Sequence, residues 1–331
     1  MPATRQLGWF SMLGLWAALT LTGALYATWQ GYGGREFAAT LTAFAFYFLV
    51  LLLFAARGVD DGFAARFGAG SGYLLDVAAF LVYLIYVLGT NTFAFGRAAV
   101  VLILISAPLA LAASAKQKPP GVWQDFLILA GLWVFIKFFS KIAPPNWLFP
   151  FPCGRLAYVF TVLLCLNIAV ATFVLLRRVN GIGYSIGWGR HWSFFALASF
   201  IVFGSIAVPL GQAMHFIQFA PHWSEWKSLP LLSLGILFFT AWPEEFLFRG
   251  LLQNMLARAS RSDLAGWWTA SMLFGFSHIT NMHFPNWKYV ILATIAGFFY
   301  GWTWRKTDSI FASALVHAGV DVMWHFLFRT L

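Results

Sequence analysis

In residues 241–250, AWPEEFLFRG, two adjacent carboxylates and an arginine interrupt a run that is apolar on both sides. Glu245 and Arg249 are four residues apart, share a helical face and can pair. Glu244 is rotated by about 100° and is left to face something else. Further along, Phe274 and His278 in FGFSHITN repeat the one-turn spacing, as do His317 and Asp321 in ALVHAGVD. An ionised side chain at the centre of a bilayer costs about 2.5–3.5 kcal/mol on insertion scales, so such a concentration of polar groups needs a reason. A Glu–His pair can hold a water and take its proton. A second His with a side-chain partner can donate to the oxyanion that forms at a carbonyl. Together these groups could hydrolyse an amide without a Ser or Cys nucleophile.

Each piece also has a plainer use. A lone intramembrane His is often a helix–helix hydrogen-bond partner, and a Glu–Arg pair is often structural glue. Buried ionisable groups also mark proton or ion paths, which leaves a non-proteolytic, transporter-like or binding protein as an alternative. Glu, His and His suit zinc as well, yet no HExxH occurs in the chain. The reading is therefore of a site without metal or cofactor, with a zinc-dependent protease as the rival. Clustering favours a shared site. Of eleven Asp and Glu, the three set deepest in hydrophobic segments are Glu244, Glu245 and Asp321, and the first 190 residues contain no histidine. Asp60 and Asp61 fall in a loop on this reading, and Asp76 near a helix end.

The elements that must position these groups follow from composition. Of 331 residues, 61% are hydrophobic and only 10% charged, with mean hydropathy +0.76. A soluble chain is typically about 25% charged. Apolar stretches long enough for the hydrocarbon core recur throughout. They predict an all-α, polytopic membrane protein with about eleven transmembrane helices, at 8–30, 37–56, 73–90, 97–114, 123–140, 157–176, 192–212, 230–257, 264–280, 287–304 and 309–328. The first is read as a retained helix, not a cleaved signal. Pro243 lacks a donor and clashes with the carbonyl four residues back, so the span around it is expected to kink or break just before Glu244. The net charge of +10 is scattered singly over short loops. It reports topology, with the N-terminus inside, and not nucleic-acid binding. Cys153 and Cys165 give no disulfide framework and no metal spacing, and read as packing residues.

EExxxR (Glu244, Glu245, Arg249), FxxxH (Phe274, His278) and HxxxD (His317, Asp321) resemble the three motifs of the CPBP family. These are the CAAX prenyl proteases and bacteriocin-processing enzymes, glutamate-type intramembrane endopeptidases. AGFFYGWTWRKTDSIFASALVHAGVD is similar to that family's Gly-x-x-x-Gly, turn and small-residue run. The resemblance covers roughly 230–331 and implies a protease core there, as a catalytic helical bundle at the C-terminal end. Residues 1–220 are then a transmembrane scaffold of unknown role. It further implies that Glu244 activates a water held by His278, that Glu245 and Arg249 orient the site, and that His317 and position 321 serve the oxyanion. The prenyl proteases carry Asn at that last position. Asp321 cannot donate when ionised, so its expected role is to accept from His317 and orient it. The implied partners are the lipid bilayer and a membrane-anchored or lipidated protein or peptide, cut near its C-terminus. The implied location is a prokaryotic plasma membrane.

Overall fold

The computed structural model describes residues 5–141, 147–151 and 155–331; Cys153 lies outside them. Eleven helices run through the described residues. They are α1 (Trp9–Trp29), α2 (Gly34–Leu53), α3 (Val59–Gly89), α4 (Phe95–Ser114), α5 (Trp123–Lys141), α6 (Ala157–Leu176), α7 (Arg190–Ala213), α8 (Leu229–Ser260), α9 (Asp263–Phe276), α10 (Trp287–Thr307) and α11 (Ile310–Leu327). Eight of them are long and apolar enough to cross a membrane; α5, α9 and α10 are the others. α9 has only 14 residues, about 21 Å, which is short of a hydrocarbon core. The protein is an integral membrane protein with an all-α architecture and small β-ribbons at its loops.

The chain divides into two compact units, Gln6–Val179 and Asn180–Leu331, the second also taking Arg5. In the N-terminal unit, α2, α3 and α6 bury Tyr47, Tyr83 and Phe160, and Cys165 is buried in α6. The Tyr47 hydroxyl donates to the Ala79 carbonyl at 2.9 Å, because a buried phenol must find an acceptor. Arg177 closes the end of α6 by pairing with Asp125 at 2.8 Å, with both side chains buried. Asp60 and Asp61 are not in a loop but in the first turn of α3, where their charge complements the helix dipole. Asp76 lies inside the helix, 2% exposed, and neither of its oxygens has a hydrogen-bond partner.

In the C-terminal unit, α7, α10 and α11 pack together, and α9 lies along α10. Small residues bring α9 and α10 close. A Cβ on Gly297 would sit 3.0 Å from the Ser271 carbonyl, and one on Gly275 would sit 2.8 Å from the Val290 carbonyl. A short antiparallel ribbon, β1 (Ile217–Phe219) with β2 (Phe328–Thr330), ties the end of α11 back to the segment after α7. α8 is not broken at Pro243. It passes through wider π turns at Leu237–Ala241 and Phe246–Gln253, on either side of an α-helical Trp242–Glu245. Proline removes one i→i−4 bond, and the i→i−5 geometry of a π turn lets the neighbouring carbonyls find other donors, so the helix continues.

Candidate active site

The centre of the site is Glu245, fully buried in the middle of α8. Its Oε2 accepts from Arg249 Nε at 3.1 Å and from Ser313 Oγ at 2.5 Å, and its Oε1 accepts from His317 Nδ1 at 2.9 Å. Ser313 also lies 2.9 Å from the Tyr300 carbonyl. A hydroxyl has one proton, and the shorter contact to a charged acceptor takes it. Arg249 is held as much by rings as by its ion pair. Its guanidinium carbon is 4.6 Å from the Phe274 centroid, while Nη1 and Nη2 make no hydrogen bond to the protein. Cation–π attraction is strongest where water is excluded, and this guanidinium is 0% exposed.

His317 stands between two carboxylates on α8 and α11. Its Nδ1 donates to Glu245, and its Nε2 lies 3.6 Å from Asp321 Oδ2, longer than a hydrogen bond. Its ring is stacked on Tyr300 at 4.6 Å and edge-on to Phe274 at 5.7 Å. The firm hold on this imidazole is therefore Glu245 and the Tyr300 face, with Asp321 as a looser neighbour on the open side.

His278 is not within α9, which ends at Phe276, but in the turn that follows. Its ring still meets Phe274, at 4.9 Å, as the four-residue spacing anticipates. Its Nδ1 lies 2.8 Å from the Phe274 carbonyl oxygen. A carbonyl only accepts, so Nδ1 carries a proton. Tyr289 packs on the same imidazole at 5.0 Å.

His278, His317 and Asp321 line one cavity of about 270 Å³, together with Phe274, Tyr289 and Tyr300. Glu244, Glu245 and Arg249 are not among its lining residues; Glu245 and Arg249 meet its wall at His317 and Phe274. Glu244 is 8% exposed, and its Oε2 is buried without a hydrogen-bond partner. It forms no hydrogen bond with the other motif residues. Among the described residues, no three of His, Cys, Asp and Glu are placed to hold a metal ion.

Ser313, Tyr289 and Tyr300 join the site without having been singled out by the motifs. Tyr300 sits between the paired glycines 297 and 301, so the close approach of α10 delivers its ring. Ser313 carried only the faint signal of a hydroxyl within a run of small residues.

Comparison with curated proteins and with solved structures finds no match. Comparison with family models finds one, over residues 226–323, described as type II CAAX prenyl endopeptidase, Rce1-like. The matched segment contains every residue of the three motifs and most of the cavity wall. Over these residues the chain is similar to the Rce1-like type II CAAX prenyl endopeptidases.

Proposed function

We propose that the protein is a glutamate-type intramembrane endopeptidase whose core is residues 230–331. It would cut a peptide bond near the C-terminus of a membrane-anchored or lipidated protein or peptide, in the plasma membrane of a prokaryotic cell. The observation that carries this reading is the unequal state of the two glutamates. Glu245 is engaged by Arg249, Ser313 and His317. Glu244, its neighbour, has an unpartnered oxygen. This inequality supports giving Glu244 the role of base and Glu245 a structural one.

In the proposed reaction a water lies between Glu244 and Nε2 of His278. Glu244 takes one proton as the water oxygen forms a bond to the scissile carbonyl carbon, giving a tetrahedral oxyanion. His317, if protonated on both nitrogens, keeps one N–H on Glu245 and directs the other into the cavity toward that oxyanion. Collapse breaks the C–N bond, and the proton held by Glu244 passes to the leaving amine. Phe274, Tyr289 and Tyr300 make the surroundings apolar, which strengthens each of these charge–dipole contacts.

Comparing C-terminal peptides of membrane proteins in cells with and without the protein tests the proposal. A small set of proteins is expected to keep longer C-termini when it is missing. Identical C-termini in both strains, under conditions where the protein is expressed, would contradict proteolysis.

A further inference from the structure

The C-terminal unit has a second cavity, of about 660 Å³, at the end where α8 turns into α9 and α10 turns into α11. It is separate from the active-site cavity. On α10 the first takes residues from Tyr289 to Tyr300, and the second takes Trp302 to Lys306. Four basic side chains line it, Arg258, Arg261, Arg305 and Lys306, against Asp263 and Asp308. Two of the cations are held in place. Arg258 donates from Nε to Asn254 Oδ1 and from Nη2 to the Asn180 carbonyl, both at 2.9 Å, and neither bond uses Nη1. Arg305 lies over the Trp267 ring at 5.0 Å, a face contact that leaves its in-plane N–H groups for another partner. Guanidinium groups fixed in this way suit a phosphate.

Gln253 is a second kind of contact in the same cavity. It is 1% exposed, its Nε2 donates to the Gly301 carbonyl at 3.3 Å, and its Oε1 has no partner. A buried acceptor without a donor is costly, and a ligand hydroxyl would satisfy it. The neighbouring surface is apolar: Leu264 is 57% exposed and Trp268 54% exposed, both in the first turns of α9. Acyl chains could lie there, whereas a free phosphate in water would gain nothing from it.

We propose that this cavity seats the headgroup of an anionic phospholipid, with its phosphodiester on the arginines and a headgroup hydroxyl on Gln253 Oε1. Phosphatidylglycerol has this chemistry. Basic pockets between helices at a membrane face bind headgroups in this way.

The test uses the full chain in mixed micelles of phosphatidylglycerol and phosphatidylcholine, counting retained lipids by native mass spectrometry. Phosphatidylglycerol should be retained preferentially. An Arg261→Gln/Lys306→Gln double variant should weaken that retention roughly thirtyfold, the order expected for two basic groups near a headgroup. Both positions are exposed, so folding should be unaffected. A Lys227→Gln/Arg329→Gln variant loses the same charge from exposed positions at the opposite helix ends and should retain the lipid like the unmodified chain. Equal retention of the two lipids, or equal loss in both double variants, would overturn the proposal. Displacement of the lipid by soluble sn-glycerol 3-phosphate at similar concentration would reassign the cavity to a free phosphate and overturn it too.

Discussion

Glu245 receives Arg249 and Ser313 on one oxygen and His317 on the other, so an amide would set an NH2 against one of these donors and leave the Arg249 charge unpaired in a dry interior. Breaking one partner of a buried pair costs about 3–5 kcal/mol. Glu245→Gln should therefore lower the detergent-stable yield and the unfolding temperature, whereas Glu244→Gln, which breaks no hydrogen bond, should leave both near those of the unmodified protein. Equal stability of the two variants would contradict the division of roles. Asp321 gives a second contrast. It lies 3.6 Å from His317, whose orientation is fixed on the other side by Glu245. Asp321→Asn should keep substantial cleavage, since the amide can accept and also donate to an oxyanion. Asp321→Ala should lose more, up to the roughly 2.7–4 kcal/mol of an oxyanion donor. The ratio of the two rates on one substrate decides it, and equal complete loss would mean that the negative charge itself is required. At this scale the motif pairs were legible because one-turn spacing survives in any helical geometry. The link from Glu245 to His317 was not, because 72 residues separate them and only packing brings them to 2.9 Å.

The helices show where local rules are overridden. Pro243 predicts a kink or a break, and α8 continues through it by widening into π turns. A periodicity argument assumes 3.6 residues per turn and cannot anticipate that change. The end of α9 was placed too late for a similar reason. The sequence stays apolar to Phe276, but the chain turns there, and the Phe274 carbonyl takes His278 Nδ1 at 2.8 Å. The spacing of α9 and α10 is set by glycines, which makes it testable. At Gly275 a Cβ would meet the Val290 carbonyl at 2.8 Å, one residue from Phe274. Gly275→Ala should force the helices apart, costing about 1–3 kcal/mol of stability. It should reduce cleavage as well, because Phe274 supports Arg249, His278 and His317. Thermal unfolding and activity measured together check this, and an unchanged variant would mean that the close approach is not needed.

For the molecule as a whole, membrane residence was legible in bulk hydropathy, since a chain this poor in charge has no other solvent for its surface. The eleven helices match the eleven apolar stretches read from the sequence, and eight meet the length and hydropathy of a span. The family match covers residues 226–323, under a third of the chain, and coincides with the segment richest in buried ionisable groups. Because the proposed chemistry needs only water, cleavage should persist in the presence of strong chelators. Stoichiometric zinc in the purified protein, with activity lost on its removal and restored on its addition, would establish the metal-dependent alternative.

The central claim is that Glu244 activates the water that cuts the peptide bond. Its most direct test is to complement cells lacking the protein with either the unmodified chain or Glu244→Gln at matched membrane levels, and to measure by mass spectrometry the fraction of affected proteins with the shortened C-terminus. The account predicts restored shortening with the unmodified chain and none with Glu244→Gln. Shortening by the variant equal to that of the unmodified protein would contradict it.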